Sequence, residues 1–135
     1  MITAIDSSVL WAILKQEPGW EAWEMTLLQA ATEGPLVICP FAFAELAPSV
    51  PGIAALQGFL GALSITFDEI SPAAAFASGQ TFKRYRKAGG PRQHLVPDFV
   101  IAAHAEVQAD RLAGIDRGYL RKWFPKLSLL KPKLA

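Results

Sequence analysis

Four carboxylates of this 135-residue chain stand where apolar segments begin or end. Asp6 closes the run "ITAI" and Asp116 closes "LAGI". Asp98 heads "PDFVIAAHA", and Glu45 lies a few residues beyond "PLVIC". Singly, each has a bland explanation. Asp98 is a good helix N-cap, because its oxygen accepts an orphan backbone N–H and its charge suits the helix dipole. Together they mean more. Converging carboxylates repel one another and need a reason to coexist, and a divalent cation is the usual one. Mg²⁺ or Mn²⁺ takes oxygen ligands and keeps several waters, so a few carboxylates plus a substrate phosphate suffice. Such a site can activate water and stabilise the leaving oxygen in phosphodiester hydrolysis.

The elements that would bring the four acids together are legible in the apolar pattern. Five short runs read as strands: "ITAI", "PLVIC", "SITFDEI", "RLAGI" and "KLSLL". Helical spacing fills the intervals: "SSVLWAILK", with Ser7 or Ser8 as cap; "WEAWEMTLLQAATEG", ended by Gly34; "PFAFAELA"; "IAALQGFLGAL"; "SPAAAFASGQTFKRYRKA"; and the segment from Asp98 to about Gln108. "GGPR" reads as a loop, and "DRGYLRKWF" as a short helical or turn segment. This alternation predicts one α/β domain over 1–135, a three-layer α/β/α arrangement on a mainly parallel sheet. In such sheets the binding crevice lies beyond the carboxyl ends of the strands. Asp6 and Asp116 follow strands directly, Asp98 opens a helix, and Glu45 lies early in one, so topology places all four on one rim.

Composition narrows the class. The chain is 52% hydrophobic and 19% charged, which excludes disorder. No apolar run is long enough to span a bilayer, and no basic segment precedes the first apolar residues, so a cytoplasmic protein is expected. The one cysteine, Cys39, rules out an internal disulfide or a cysteine zinc cluster and is expected to be buried. The overall charge of +1 conceals a division. Residues 1–82 hold Lys15 against eight acids, and residues 83–135 hold twelve bases against four acids, or −7 and +8. A basic half suggests an anionic partner, unless the fold mixes the two halves in space.

At this point "IDSSVL", "AEL" at Glu45, "GGPRQHLVPDFVIAAHA" and "IDRGYLRKWFPKLSLLKP" resemble the PIN-domain ribonucleases, most of all the VapC-like toxins of toxin–antitoxin modules. The resemblance covers nearly the whole chain in the right order. It implies a compact α/β/α domain and an acidic Mg²⁺ or Mn²⁺ site. Residue by residue, Asp6, Glu45, Asp98 and Asp116 match the family's four acids, which hold the cation that activates water against an RNA phosphodiester. Ser7 matches a residue that helps orient the site. The resemblance also implies a small antitoxin whose C-terminal segment covers the acids, and a homodimer. One departure stands out. The family commonly has Ser or Thr two residues before the last acid, and this chain has Gly114, followed by Ile115 in place of a polar or basic residue. That leaves a catalytically weak or inactive PIN-like binding module as the alternative. A receiver-type phosphorylation domain ranks last, because "IDSS" offers one acid where such a site wants a pair.

Lys83, Arg84, Arg86, Lys87 and Arg92 could meet RNA phosphates, with Tyr85 stacking on a base; the alternative is a solvated helix face. Arg117, Arg121 and Lys122, just after Asp116, are better placed to steer a phosphate backbone, and Lys126, Lys131 and Lys133 read as a solubilising tail. His94 and His104 share no simple metal spacing. Asp68, Glu69, Glu106 and Asp110 read as surface charges or caps. Trp11, Trp20, Trp23, Leu27 and Leu28 belong to the core by default, with a groove for a partner helix as the further possibility.

Overall fold

The computed structural model describes residues 1–90, 96–116 and 120–133. Its strands are β1 (Thr3–Ile5), β2 (Leu36–Ile38), β3 (Ile65–Phe67), β4 (Arg111–Ala113) and β5 (Leu129–Leu130). Its helices are α1 (Ser7–Leu14), α2 (Trp20–Glu33), α3 (Pro40–Leu46), α4 (Ile53–Ala62), α5 (Pro72–Lys87), α6 (Val96–Gln108) and α7 (Leu120–Trp123). Each strand and helix expected from the apolar pattern is present. The five strands form one parallel sheet in the order β3-β2-β1-β4-β5. Among the described residues no helix is long and apolar enough to cross a membrane.

The central strands β1 and β2 lie in the core. All three residues of β1 and of β2 are buried, so side chains on both faces must suit apolar surroundings. The edge strands β3 and β5 are more exposed. Phe99, Phe124, Ile5, Leu10, Leu27, Leu36, Ile38, Leu46, Leu56 and Leu112 are among the large side chains sealed inside.

Strand order decides where a site can form. From β1 the chain moves to β2 and β3 on one side, then to β4 and β5 on the other. The gap beyond the carboxyl ends of β1 and β4 is therefore the topological switch point, the usual crevice of an open α/β sheet. Thr3, Ala4 and Ile5 pair with Arg111, Leu112 and Ala113. Asp6 and Gly114 consequently leave the sheet side by side, and the Asp6 N–H donates to Ala113 O at 3.0 Å.

Candidate functional site

Asp6 is the residue the fold places most firmly. It is the N-cap of α1 with extended backbone, φ −72° and ψ 144°, yet its side chain makes no capping hydrogen bond. Ser8 Oγ donates to Asp6 Oδ2 at 2.5 Å instead. Ser7 Oγ donates to Glu45 Oε1 at 2.9 Å, tying the start of α1 to α3. The two serines expected as caps are thus donors to two of the four acids.

Gly114 lies directly beside Asp6. A Cβ built there would stand 3.3 Å from Asp6 Cβ and 3.8 Å from Asp6 Oδ2. The missing side chain leaves a small cradle against that carboxylate. Two residues on, Asp116 Oδ1 accepts the Leu120 N–H at 3.2 Å and so anchors the start of α7. Ile115 is 52% exposed and lines, with Ser7, Ser8 and Glu45, a groove of about 720 Å³. Val9, Trp11, Ala12 and Trp23 are among its apolar lining, and Glu17 also lines it.

Asp98 lies on the same rim by topology, since α6 leads straight into β4 and so begins where β4 ends. It is not the N-cap. The helix begins at Val96, so Pro97 and Asp98 both sit in its first turn, where proline is tolerated and a negative charge is favoured. Glu45 is the sixth residue of the seven-residue α3. Among the described residues, no three side chains of His, Cys, Asp or Glu form a group that could hold a metal ion.

Of the basic candidates, Arg84, Arg86 and Arg121 are exposed, as are Lys83, Lys87 and Lys122. Arg84 Nη2 donates to Thr81 Oγ1 at 3.0 Å, and Arg84, Arg86 and Lys87 lie in the last turn of α5, where they also suit the helix dipole. Arg92, Arg117 and His94 lie outside the described residues. Tyr85 does not face solvent. It is 4% exposed and packs against Phe82, Phe99 and Trp123, so it cannot stack on a base. Its burial was available in the spacing: Ala74, Ser78, Thr81 and Tyr85 recur every three or four residues and form the buried stripe of α5.

Two acids read as surface charges have structural work. Asp68 Oδ2 lies 2.7 Å from Nε2 of His104, which is 1% exposed, and it also accepts from Gln108 Nε2 at 3.2 Å. Asp110 accepts the Ile2 N–H at 2.6 Å. His104 therefore pins α6 to the end of β3 and belongs to the core. Of the apolar stripe near the N-terminus, Trp11 and Trp23 line the groove, Leu27 is fully buried, and Leu28 is exposed without lining it.

Cys39 sits just past β2 at the start of α3, 2% exposed. Burial pushes its thiol pKa up, and the nearby charge of Glu45 acts in the same direction. Since the thiolate is the reactive form, Cys39 should resist iodoacetamide at neutral pH until denaturant is added. Rapid labelling of the native chain, followed by mass spectrometry, would contradict this packing.

No protein-family model matches the chain, and no curated protein does. Solved structures do. A chain of VapBC2 from Rickettsia felis, bound to a DNA fragment from its promoter, superposes with a TM-score of 0.75 at 18% identity, covering 98% of this chain and 100% of that one. VapBC-1 from nontypeable Haemophilus influenzae gives 0.68 at 17%, with 97% and 98% covered. FitAcB from Neisseria gonorrhoeae gives 0.65 at 18%, with 96% of each chain covered. At these identities the likeness establishes the fold. The PIN-like α/β architecture expected from the motifs is the architecture of this chain.

Proposed function

We propose that this chain is a divalent-cation-dependent endoribonuclease, the toxin of a toxin–antitoxin pair. The observation that carries the reading is the placement of Asp6. Its carboxylate is withheld from helix capping and held at the β1–β4 switch point beside the side-chain-free Gly114. The likeness to VapBC and FitAcB structures over nearly the whole chain supports the same reading.

The donor set is all oxygen, which fits Mg²⁺ or Mn²⁺. Mg²⁺ commonly takes one or two carboxylates and keeps several waters rather than filling a cage built entirely of protein. Asp6, Asp98 and Asp116 would hold the cation, with Glu45 completing the site. When bound, the cation supplies activation of water and stabilisation of the leaving oxygen. The chain supplies the rest. Glu45, fixed by Ser7, orients the attacking water and accepts its proton as the phosphodiester opens. The exposed Arg84, Arg86 and Arg121 attract the RNA backbone, and Arg92 and Arg117 are proposed for the same role.

The partners follow from the same reading. The groove lined by Trp11 and Trp23 together with Ser7 and Glu45 is proposed to receive an apolar segment of a small antitoxin, so that inhibition and catalysis share one site. A homodimer and action in the cytoplasm belong to this proposal. One observation favours a second reading, a weak or inactive PIN-like binding module: the described residues hold no ready-made group of three metal-binding side chains.

Cleavage of a varied RNA pool with Mg²⁺ or Mn²⁺ decides between them. The expected result is cutting that EDTA abolishes and that Asp98→Asn removes. Equal cutting by wild type and Asp98→Asn would overturn the assignment of the acids, and binding of RNA without cutting would favour the binding module.

A further inference from the structure

We infer that Ser8 is the positioning residue for the Asp6 carboxylate: its hydroxyl draws that carboxylate out of the capping position and fixes it toward the crevice. The inference rests on the proposed cation-dependent reading and adds a residue to it.

Three observations carry it. Asp6 occupies an N-cap with suitable backbone geometry, and Asp is among the residues best suited to cap there. Its side chain nonetheless makes no capping bond, which forgoes a contact that helix starts commonly use. The partner it takes instead is Ser8 Oγ, two residues on, through Oδ2, the oxygen that also faces the cradle at Gly114.

A hydroxyl donor to a carboxylate fixes the plane of the group and leaves its remaining lone pairs directed. Ser or Thr at position 114 could have donated to Asp6 from the β4 side. Gly114 cannot, and a Cβ there would crowd Asp6 Cβ at 3.3 Å. In this chain a hydroxyl donor comes from α1, through Ser8. The adjacent serine does the parallel task for Glu45. Consecutive residues of one helical turn therefore set two acids that come from different parts of the chain.

Direct Mn²⁺ binding, followed by the loss of the free-ion paramagnetic resonance signal, separates positioning from folding. Ser8→Ala should bind Mn²⁺ about tenfold more weakly than wild type, as expected when a group that orients a metal ligand is removed. Ser8→Thr, which keeps the hydroxyl, should bind within about twofold of wild type. Thermal unfolding of the three metal-free proteins should coincide to within a few degrees. Equal Mn²⁺ affinity for Ser8→Ala and wild type would overturn the role of Ser8 and leave the nuclease reading standing. A parallel loss in Ser8→Thr would also overturn it, because a packing role rather than the hydroxyl would then be responsible. No Mn²⁺ binding by wild type would overturn this inference and the cation-dependent reading together.

Discussion

On the proposed reading, Asp6→Asn should yield a protein that is fully folded, binds Mn²⁺ poorly and no longer cleaves RNA. Two effects that often accompany loss of a half-buried charge are separable here. Asn is as good an N-cap as Asp, and the Asp6 side chain makes no capping bond to lose. The Asn carbonyl can still accept from Ser8. Stability should therefore change by no more than about 1 kcal/mol, which is small beside the effect on activity. It should rise slightly if the neighbouring acids repel one another in the absence of cation. Activity should behave differently. A cation bound for Lewis-acid work contributes several kcal/mol at the transition state, and each 1.36 kcal/mol is a factor of ten. A loss of about 10³-fold in cleavage is expected when one of its carboxylates becomes neutral. Urea unfolding and a cleavage time course on the same preparation test the two halves. Retained cleavage with weakened stability would mean that Asp6 is a structural residue, whatever the other acids do.

The strand exits before Asp6 and Asp116 were legible in the sequence because they depend on local pattern. A buried parallel strand of three or four apolar residues is a strong signal, and the carboxylate that follows it must lie on the sheet rim whatever the distant contacts are. That logic located Asp6 and Asp116 at the exits of β1 and β4. It also located the start of α6, although it read Asp98 as the cap when the helix begins two residues earlier at Val96. Pro97 made the boundary look later than it is; a proline fits the first turn, where its missing N–H is of no consequence. What the sequence left obscure depends on distance in the chain or on rotamer choice. The His104–Asp68 contact joins residues 36 apart, and nothing near either one announces it. The exchange in which Ser8 takes Asp6 and Ser7 takes Glu45, rather than either capping α1, is fixed by where α3 packs. Tyr85 was misread for another reason. Its basic neighbours suggested a solvated face, whereas the helical period puts it on the side of α5 that meets α6.

That buried face leads to the largest expected effect on stability. Phe99 follows Asp98 directly and is 0% exposed. Its ring lies 5.6 Å from Phe82, 5.3 Å from Tyr85 and 5.7 Å from Phe124, centroid to centroid. Tyr85 in turn meets Trp123 of α7 at 5.5 Å. The cluster therefore joins α5, the first turn of α6 and α7, so that the segments carrying Asp98 and Asp116 are braced against the same rings. Phe99→Ala removes the central ring and leaves a cavity that rigid aromatic neighbours cannot easily fill. The expected cost is about 3–5 kcal/mol, a large share of the 5–15 kcal/mol typical of a whole domain. Phe99→Leu, which keeps most of the volume, should cost much less. In urea the midpoint should move down with little change in slope, the sign of lost stability in an unaltered fold. Cleavage at low temperature, corrected for the folded fraction, should fall for Phe99→Ala as well, because Asp98 loses its brace one residue away. A destabilisation below about 1 kcal/mol would show that the neighbouring rings close over the gap, and the cluster would then not be what sets the position of Asp98.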